Sequence, residues 1–213
     1  FLYKNDYIDK KDYPLVKVTY PKKEKKLPKF LYYNDLLEII NESSKDKDGI
    51  RDRLIIEMLY ATGVRVSELI NIKLSDIDFN NKRIIVCGKG NKERIVYYGD
   101  YAEEVLLKYL KTHIRKDNNY LFLNSKGEQI TDGGIRYIID NIMKKISIKV
   151  HVTPHVLRHT FATDMLNNGC DIKVVQELLG HSSLKATEIY THVTNEHLKE
   201  VYYKCFPRRD KDE

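Results

Sequence analysis

Six side chains of this sequence have the types and spacings for chemistry on a phosphate. His155 and Arg158 lie three apart in HVLRH, so on a helix they share one face and can reach a single phosphate-sized target. His181 follows Gly180, a helix stop, and Tyr190 comes nine residues later. Arg65, in ATGVRVSEL, falls where a helix restarts after Gly63, and backbone N–H groups at a helix start also favour anions. Lys89 sits in GKGNK, at or beside a hairpin turn.

Arginine forks match phosphate oxygens bidentately, and His181 can donate another hydrogen bond to charge developing on phosphorus. A tyrosine hydroxyl, with a pKa of about 10, is a weak nucleophile at neutral pH. A positive pocket and a base such as His155 would both help its attack. The leaving alkoxide needs a proton, which a hairpin lysine can give. Together the six groups supply what phosphoryl transfer to a tyrosine requires. Singly, each has an ordinary reading: a packed histidine, a solvated arginine, a lysine-rich hairpin tip, one tyrosine among sixteen. His155 and His159 have a zinc-binding spacing, but position 156 is Val where HExxH needs glutamate, and no acidic cluster is present. The expectation is therefore no metal and no cofactor, which disfavours a metal-dependent nuclease.

These groups need a scaffold, and the periodicity predicts a mostly helical one. Leu36, Leu37, Ile39 and Ile40 form a stripe after Asn34, read as an N-cap. A second helix is predicted from about Asp48 to Tyr60, and a short one begins near Ser67 and Glu68. Residues 83–98 alternate β-branched side chains around Gly88–Asn91 and predict a hairpin. A helix over 101–114, a short strand at 120–123, a turn at 125–127 and a helix capped by Thr131 follow. Thr153-Pro154 opens the His155 helix, and a last helix spans about 195–204 before the tail PRRDKDE. Its stripe of Leu198, Val201 and Tyr202 needs cover, from this chain's core or from a neighbour's groove.

At 213 residues the chain can bury a proper core, and it has no apolar run approaching the ~20 residues of a membrane helix. Thirty-seven Lys and Arg against thirty-one Asp and Glu give +6, which favours a polyanion partner without demanding one. Lys22, Lys23, Lys25 and Lys26, bracketed by Pro21 and Pro28, form either a solvated charged linker or a basic strap along nucleic-acid phosphates. Three widely separated cysteines suit reduced thiols in the cytoplasm. The chain opens FLYKNDYIDK, with neither an initiator methionine nor a signal peptide, and reads as a fragment or processed chain.

The motifs ATGVRVSEL, GKGNKER, HVLRHTFAT, LLGHSSLKATEIYTHV and FPRR resemble, in order and spacing, the catalytic domain of the tyrosine recombinases, most closely the Xer type. The resemblance covers about residues 27–208. It implies an α+β fold, mainly α with a small antiparallel sheet. It implies Arg65 and Arg158 as phosphate clamps, Lys89 as proton donor to the leaving 5′ oxygen, His155 as base, His181 as transition-state donor and Tyr190 as nucleophile. Glu68 would support the site from behind, and Lys92 and Arg94 would join the four linker lysines on DNA. The implied layout is a remnant or linker at 1–26, a catalytic domain at 27–193 and a C-terminal helix and tail at 194–213. The implied partners are a double-stranded recombination site and a homo- or hetero-tetramer of subunits on two duplexes, joined through the C-terminal helix, with no membrane and a nucleoid-associated location.

Resolution of replicon dimers and integration of a mobile element share all these motifs. Two readings from other classes stay open. A type IB topoisomerase would relax DNA with the same cleavage and no exchange, and a regulator would keep the fold without catalysis.

Overall fold

The computed structural model describes residues 30–45, 48–88, 90–112, 118–180 and 194–210. The chain enters through α1 (Tyr33–Ser43) and passes to α2 (Gly49–Thr62), around which the rest is arranged. Leu54, Ile55, Ile56, Met58, Leu59, Tyr60 and Ala61 are all buried, so α2 has apolar contacts nearly all round. It packs on α1, on α4 (Asp100–Thr112) and on α6 (Pro154–Asn167). Burying each large aliphatic side chain here stabilises the fold by about 1.5–3 kcal/mol before entropy is counted.

After α2 come the short α3 (Val66–Ile70) and a three-stranded antiparallel sheet, β1 (Ile77–Asp78), β2 (Arg83–Cys87) and β3 (Glu93–Tyr97), in that spatial order. Ile84 pairs with Val96 and Val86 with Arg94, so these four residues share the face turned to the core. The predicted hairpin is present, with Gly90 and Asn91 both at positive φ in the connection between its strands. α5 (Asp132–Met143) and α7 (Ile172–Leu179) complete the body. Thr131 caps α5 through a 3.0 Å hydrogen bond from the Gly134 N–H, as its sequence predicts.

Some boundaries move. α1 begins at Tyr33 after a Tyr32 N-cap position without a side-chain hydrogen bond, so Asn34 lies inside the first turn instead of capping it. The segment 120–123 is no strand of the sheet. Tyr120 and Leu123 make isolated bridges to Lys73 and Gln129, and the Leu121 N–H donates to the Ile72 carbonyl at 2.7 Å. Its extended backbone finds partners in loops, which sequence periodicity does not register.

α8 (Asn195–Cys205) lies on the same core. Leu198, Tyr202 and Cys205 are buried, and the Tyr202 ring stacks 5.0 Å from Phe206 and 6.5 Å from Phe161 of α6. The Tyr202 hydroxyl donates to the Ala61 carbonyl of α2. The apolar stripe that could have been covered by a neighbour is covered by its own subunit. The following residues are pinned as well: Arg208 forks onto Glu57 of α2 with its Nη2 2.6 Å from Oε1, and both side chains are almost fully buried. Among the described residues, no helix is long and apolar enough to cross a membrane.

Candidate active site

α6 begins with local chemistry that fixes its first turn. Thr153 accepts a hydrogen bond from the Val156 N–H, and Pro154 occupies a first-turn position whose missing N–H costs nothing. This start sets the phase of the helix, with His155 exposed and Arg158 buried one turn later. The Arg158 guanidinium donates to the Gly63 carbonyl at the end of α2, and at 2.8 Å to the Leu179 carbonyl at the end of α7. Both acceptors lie at helix C-termini, where the peptide dipoles concentrate negative charge. One arginine thus joins three helices at a point.

Gly63 is required at that point. It ends α2 at φ 58°, and a Cβ there would lie 2.6 Å from the Phe161 ring and 2.8 Å from Leu179. The Gly63 carbonyl reaches Arg158 only because these side chains can close over a bare backbone.

Glu68, 2% exposed, is the only carboxylate among the described groups of the site. Its Oε2 accepts from the Arg65 backbone N–H at 2.7 Å and from Arg94 Nη2 at 2.9 Å. Its Oε1 accepts from Arg65 Nη1 at 2.8 Å and from Arg94 Nη1 at 2.7 Å. The bond back to the Arg65 N–H is the acidic half of a capping box and fixes the start of α3. Burial opposes the Glu68 charge, but the hydrogen bonds from Arg94 and Arg65 outweigh it and hold the carboxyl below its ordinary pKa.

The charge balance is uneven. Arg65, Arg94 and Arg158 converge on this region with Glu68 as their shared counter-charge. Burial first, and then repulsion from Arg65 and Arg94, lower the Arg158 guanidinium to about 10, so it stays protonated at neutral pH in a field that disfavours it. A bound anion would relieve that field. The Arg65 side chain remains 42% exposed despite its bond to Glu68, so part of its fork is open to a ligand.

The structure brings Arg65, Glu68, Arg94 and Arg158 together, with His155 one turn from Arg158 on the exposed side of α6. Lys92 is exposed on the hairpin, as a DNA contact would need. Arg94 differs from its expected place: it is turned inward onto Glu68 and is only 14% exposed. Opposite Val86, it sits on the inward face of the hairpin, and the register carried that signal. It is hard to see in the sequence because Ile84, Ile85 and Val86 are consecutive apolar residues, which hides the alternation. Lys89, His181 and Tyr190 lie outside the described residues, as do Lys22, Lys23, Lys25 and Lys26. No group of three or more His, Cys, Asp or Glu suited to a metal occurs among the described residues.

A helical body with a small antiparallel sheet presents converging arginines on a helix start and a buried helix turn, an arrangement whose excess positive charge suits a phosphate ester. The phage integrase family matches residues 29–197. The chain is 47% identical over 204 residues to the tyrosine recombinase XerC of Staphylococcus epidermidis, covering 94% of this chain and 69% of that protein. It is 46% identical to XerC of Listeria innocua, covering 92% and 68%. Among solved structures it resembles the XerA recombinase, with TM-score 0.69 and 40% identity over 86% of this chain and 67% of that one. It also resembles the XerH site-specific recombinase bound to its difH substrate, with TM-score 0.65 and 29% identity over 92% and 58%. The chain belongs to the phage integrase family, the tyrosine recombinases.

Proposed function

We propose that this chain breaks and rejoins double-stranded DNA through a 3′-phosphotyrosyl bond, with Tyr190 as nucleophile. Site-specific recombination through a tyrosine intermediate is the reaction of the family to which the chain belongs. The Tyr190 oxygen attacks the scissile phosphorus and gives up its proton to His155. Arg65 and Arg158 hold the non-bridging oxygens, and His181 donates to the charge that builds on them. The bond to the 5′ oxygen breaks, and Lys89 supplies the proton that makes it a hydroxyl. Attack by the 5′ hydroxyl of another strand reverses each step. The energy of the phosphodiester is kept in the phosphotyrosine, so the exchange needs neither ATP nor a metal.

One observation carries this reading: Arg65 and Arg94 share the buried Glu68 carboxylate, and the Arg158 guanidinium, held by two backbone carbonyls, lies close enough to be repelled by both, leaving positive charge that a phosphate diester would balance. Similarity to XerC proteins over most of the chain favours resolution of chromosome or plasmid dimers. On this reading residues 27–193 form the catalytic unit and 194–213 the C-terminal segment. Four subunits act on two duplexes at the nucleoid, with Lys92 and the lysines of 22–26 on the DNA backbone.

The test is to incubate the full-length protein with nicked genomic fragments of its source organism, capture covalent protein–DNA adducts and sequence the DNA. A single enriched duplex near the replication terminus supports dimer resolution, and enrichment at the ends of a mobile element supports integration. Adducts without sequence preference, accompanied by relaxation of supercoiled plasmid, would indicate a topoisomerase. No adduct at all would refute the reading.

A further inference from the structure

Arg94 is placed where a DNA ligand should not be. Its strand partner is Val86, its neighbours on that face are Ile84 and Val96, and all three are buried. Its guanidinium is spent inside the protein, with Nη1 and Nη2 on the two oxygens of Glu68 and Nε donating at 3.2 Å to the Leu178 carbonyl of α7. The stem of the side chain lies against bare backbone: a Cβ on Gly180 would stand 2.8 Å from Arg94 Cδ and 3.0 Å from Nε. On the other side, a Cβ on Gly88 would stand 3.3 Å from Glu68 Oε1 and 3.9 Å from Arg94 Nη1.

These contacts have a common pattern. Gly88 is the residue before Lys89, Gly180 is the residue before His181, and Glu68 holds both the backbone and the side chain of Arg65. The end of β2 at Gly88, the end of α7 at Gly180 and the start of α3 at Arg65 are far apart in sequence. Arg94 and its carboxylate partner touch the chain beside all three. A planar fork with five donors can meet both oxygens of a carboxylate in one fixed geometry and still donate Nε to a carbonyl, whereas lysine's single ammonium on a flexible stem does not reproduce that two-point geometry.

We propose that Arg94 is a positioning residue, which acts through Glu68 and the Gly180 backbone to hold the start of α3 with Arg65, the end of β2 at Gly88 and the end of α7 in one working arrangement and makes no contact with DNA. This assignment rests on the function proposed above. It turns the hairpin arginine from a DNA ligand into the brace of the site. Fixing reacting groups within about 1 Å is worth about 100-fold in rate, and that is the effect the brace should have.

The experiment uses the full-length protein and a duplex recovered by the adduct capture. Wild type, Arg94→Ala, Arg94→Lys and Gly180→Ala are compared by thermal melting, by DNA affinity across a salt series, and by single-turnover cleavage on saturating DNA below the lowest melting temperature. Arg94→Ala should cleave about 100-fold more slowly while its affinity and salt slope stay those of wild type. Arg94→Lys keeps the charge and should not restore the rate. Gly180→Ala leaves the arginine intact but drives a methyl into its stem, and should show the same loss of rate with unchanged affinity. A salt slope smaller by about 1 in Arg94→Ala, with normal cleavage of the bound duplex, would make Arg94 a phosphate contact and overturn the assignment. Full activity in Arg94→Lys would also overturn it, since charge alone would then suffice. If wild type itself forms no adduct, the proposed reaction fails, and that outcome is separate from any difference between variants.

Discussion

Glu68→Gln removes one charge from the centre of the arginine cluster and almost none of its volume. In the native site the carboxylate accepts four hydrogen bonds of 2.7–2.9 Å, two from the Arg94 fork and two from Arg65. A glutamine has one acceptor oxygen and must turn its NH2 toward guanidinium donors, so at most two of the four survive. Hydrogen bonds to charged groups are worth about 1.5–3 kcal/mol each. The Arg65 side chain is 42% exposed, so its share is screened by water, whereas Arg94 at 14% exposure is not. Breaking a largely buried pair by removing one partner costs about 3–5 kcal/mol. At about 2–4 °C per kcal/mol for a chain of this size, the melting temperature should fall by about 6–20 °C. Urea unfolding of wild type and variant, compared at equal slope, measures the difference. A loss below about 1 kcal/mol would refute Glu68 as the counter-charge of the cluster.

The same pair gives a pH test with a fixed sign. The Glu68 carboxyl is held below its ordinary 4.5 in the folded chain, so the unfolded chain takes up the proton first as pH falls. Its stabilisation is complete above about 4.5 and is lost as pH drops through the lower folded value. The gap between wild type and Glu68→Gln should therefore close in acid and stay constant above it.

Two further outcomes are expected. Arg208→Ala leaves Glu57, 1% exposed, without the fork that neutralises it, and should cost about 3–5 kcal/mol in urea unfolding. A double variant with Glu57→Leu and Arg208→Met should recover most of that, and failure to recover would mean that packing outweighs the charge. Lys89→Ala should slow cleavage of an ordinary duplex and regain most of the rate when the bridging 5′ oxygen is replaced by sulfur, because a thiolate needs no proton to leave. Equal defects on both substrates would remove Lys89 from proton donation.

Local pattern made much of this molecule legible. The stripes of α1, α4 and α5, the Thr131 cap, the Thr153-Pro154 entry to α6 and the hairpin follow from spacing alone, because each depends on residues within a few positions. What sequence pattern does not show is pairing at long range. The tail PRRDKDE reads only as a charged end, yet Arg208 is buried on Glu57 from 151 positions away. Glu68 reads as a support behind the active-site side chains without a named partner, and one of its two partners, Arg94, lies 26 residues away on a strand paired with consecutive apolar residues that hide the facing. The apolar stripe of α8 states that something must cover it, and only the fold shows Phe161 and Phe206 there.

On the proposed mechanism the hydroxyl of Tyr190 becomes covalently joined to DNA. The direct measurement is denaturing electrophoresis of full-length wild type and Tyr190→Phe on a labelled nicked duplex recovered by the capture experiment, with the adduct peptide identified by mass spectrometry. Wild type should give an adduct at Tyr190, and Tyr190→Phe should give none while binding the duplex with similar affinity. An adduct of normal yield in Tyr190→Phe, or one mapped to any other residue, would contradict the account.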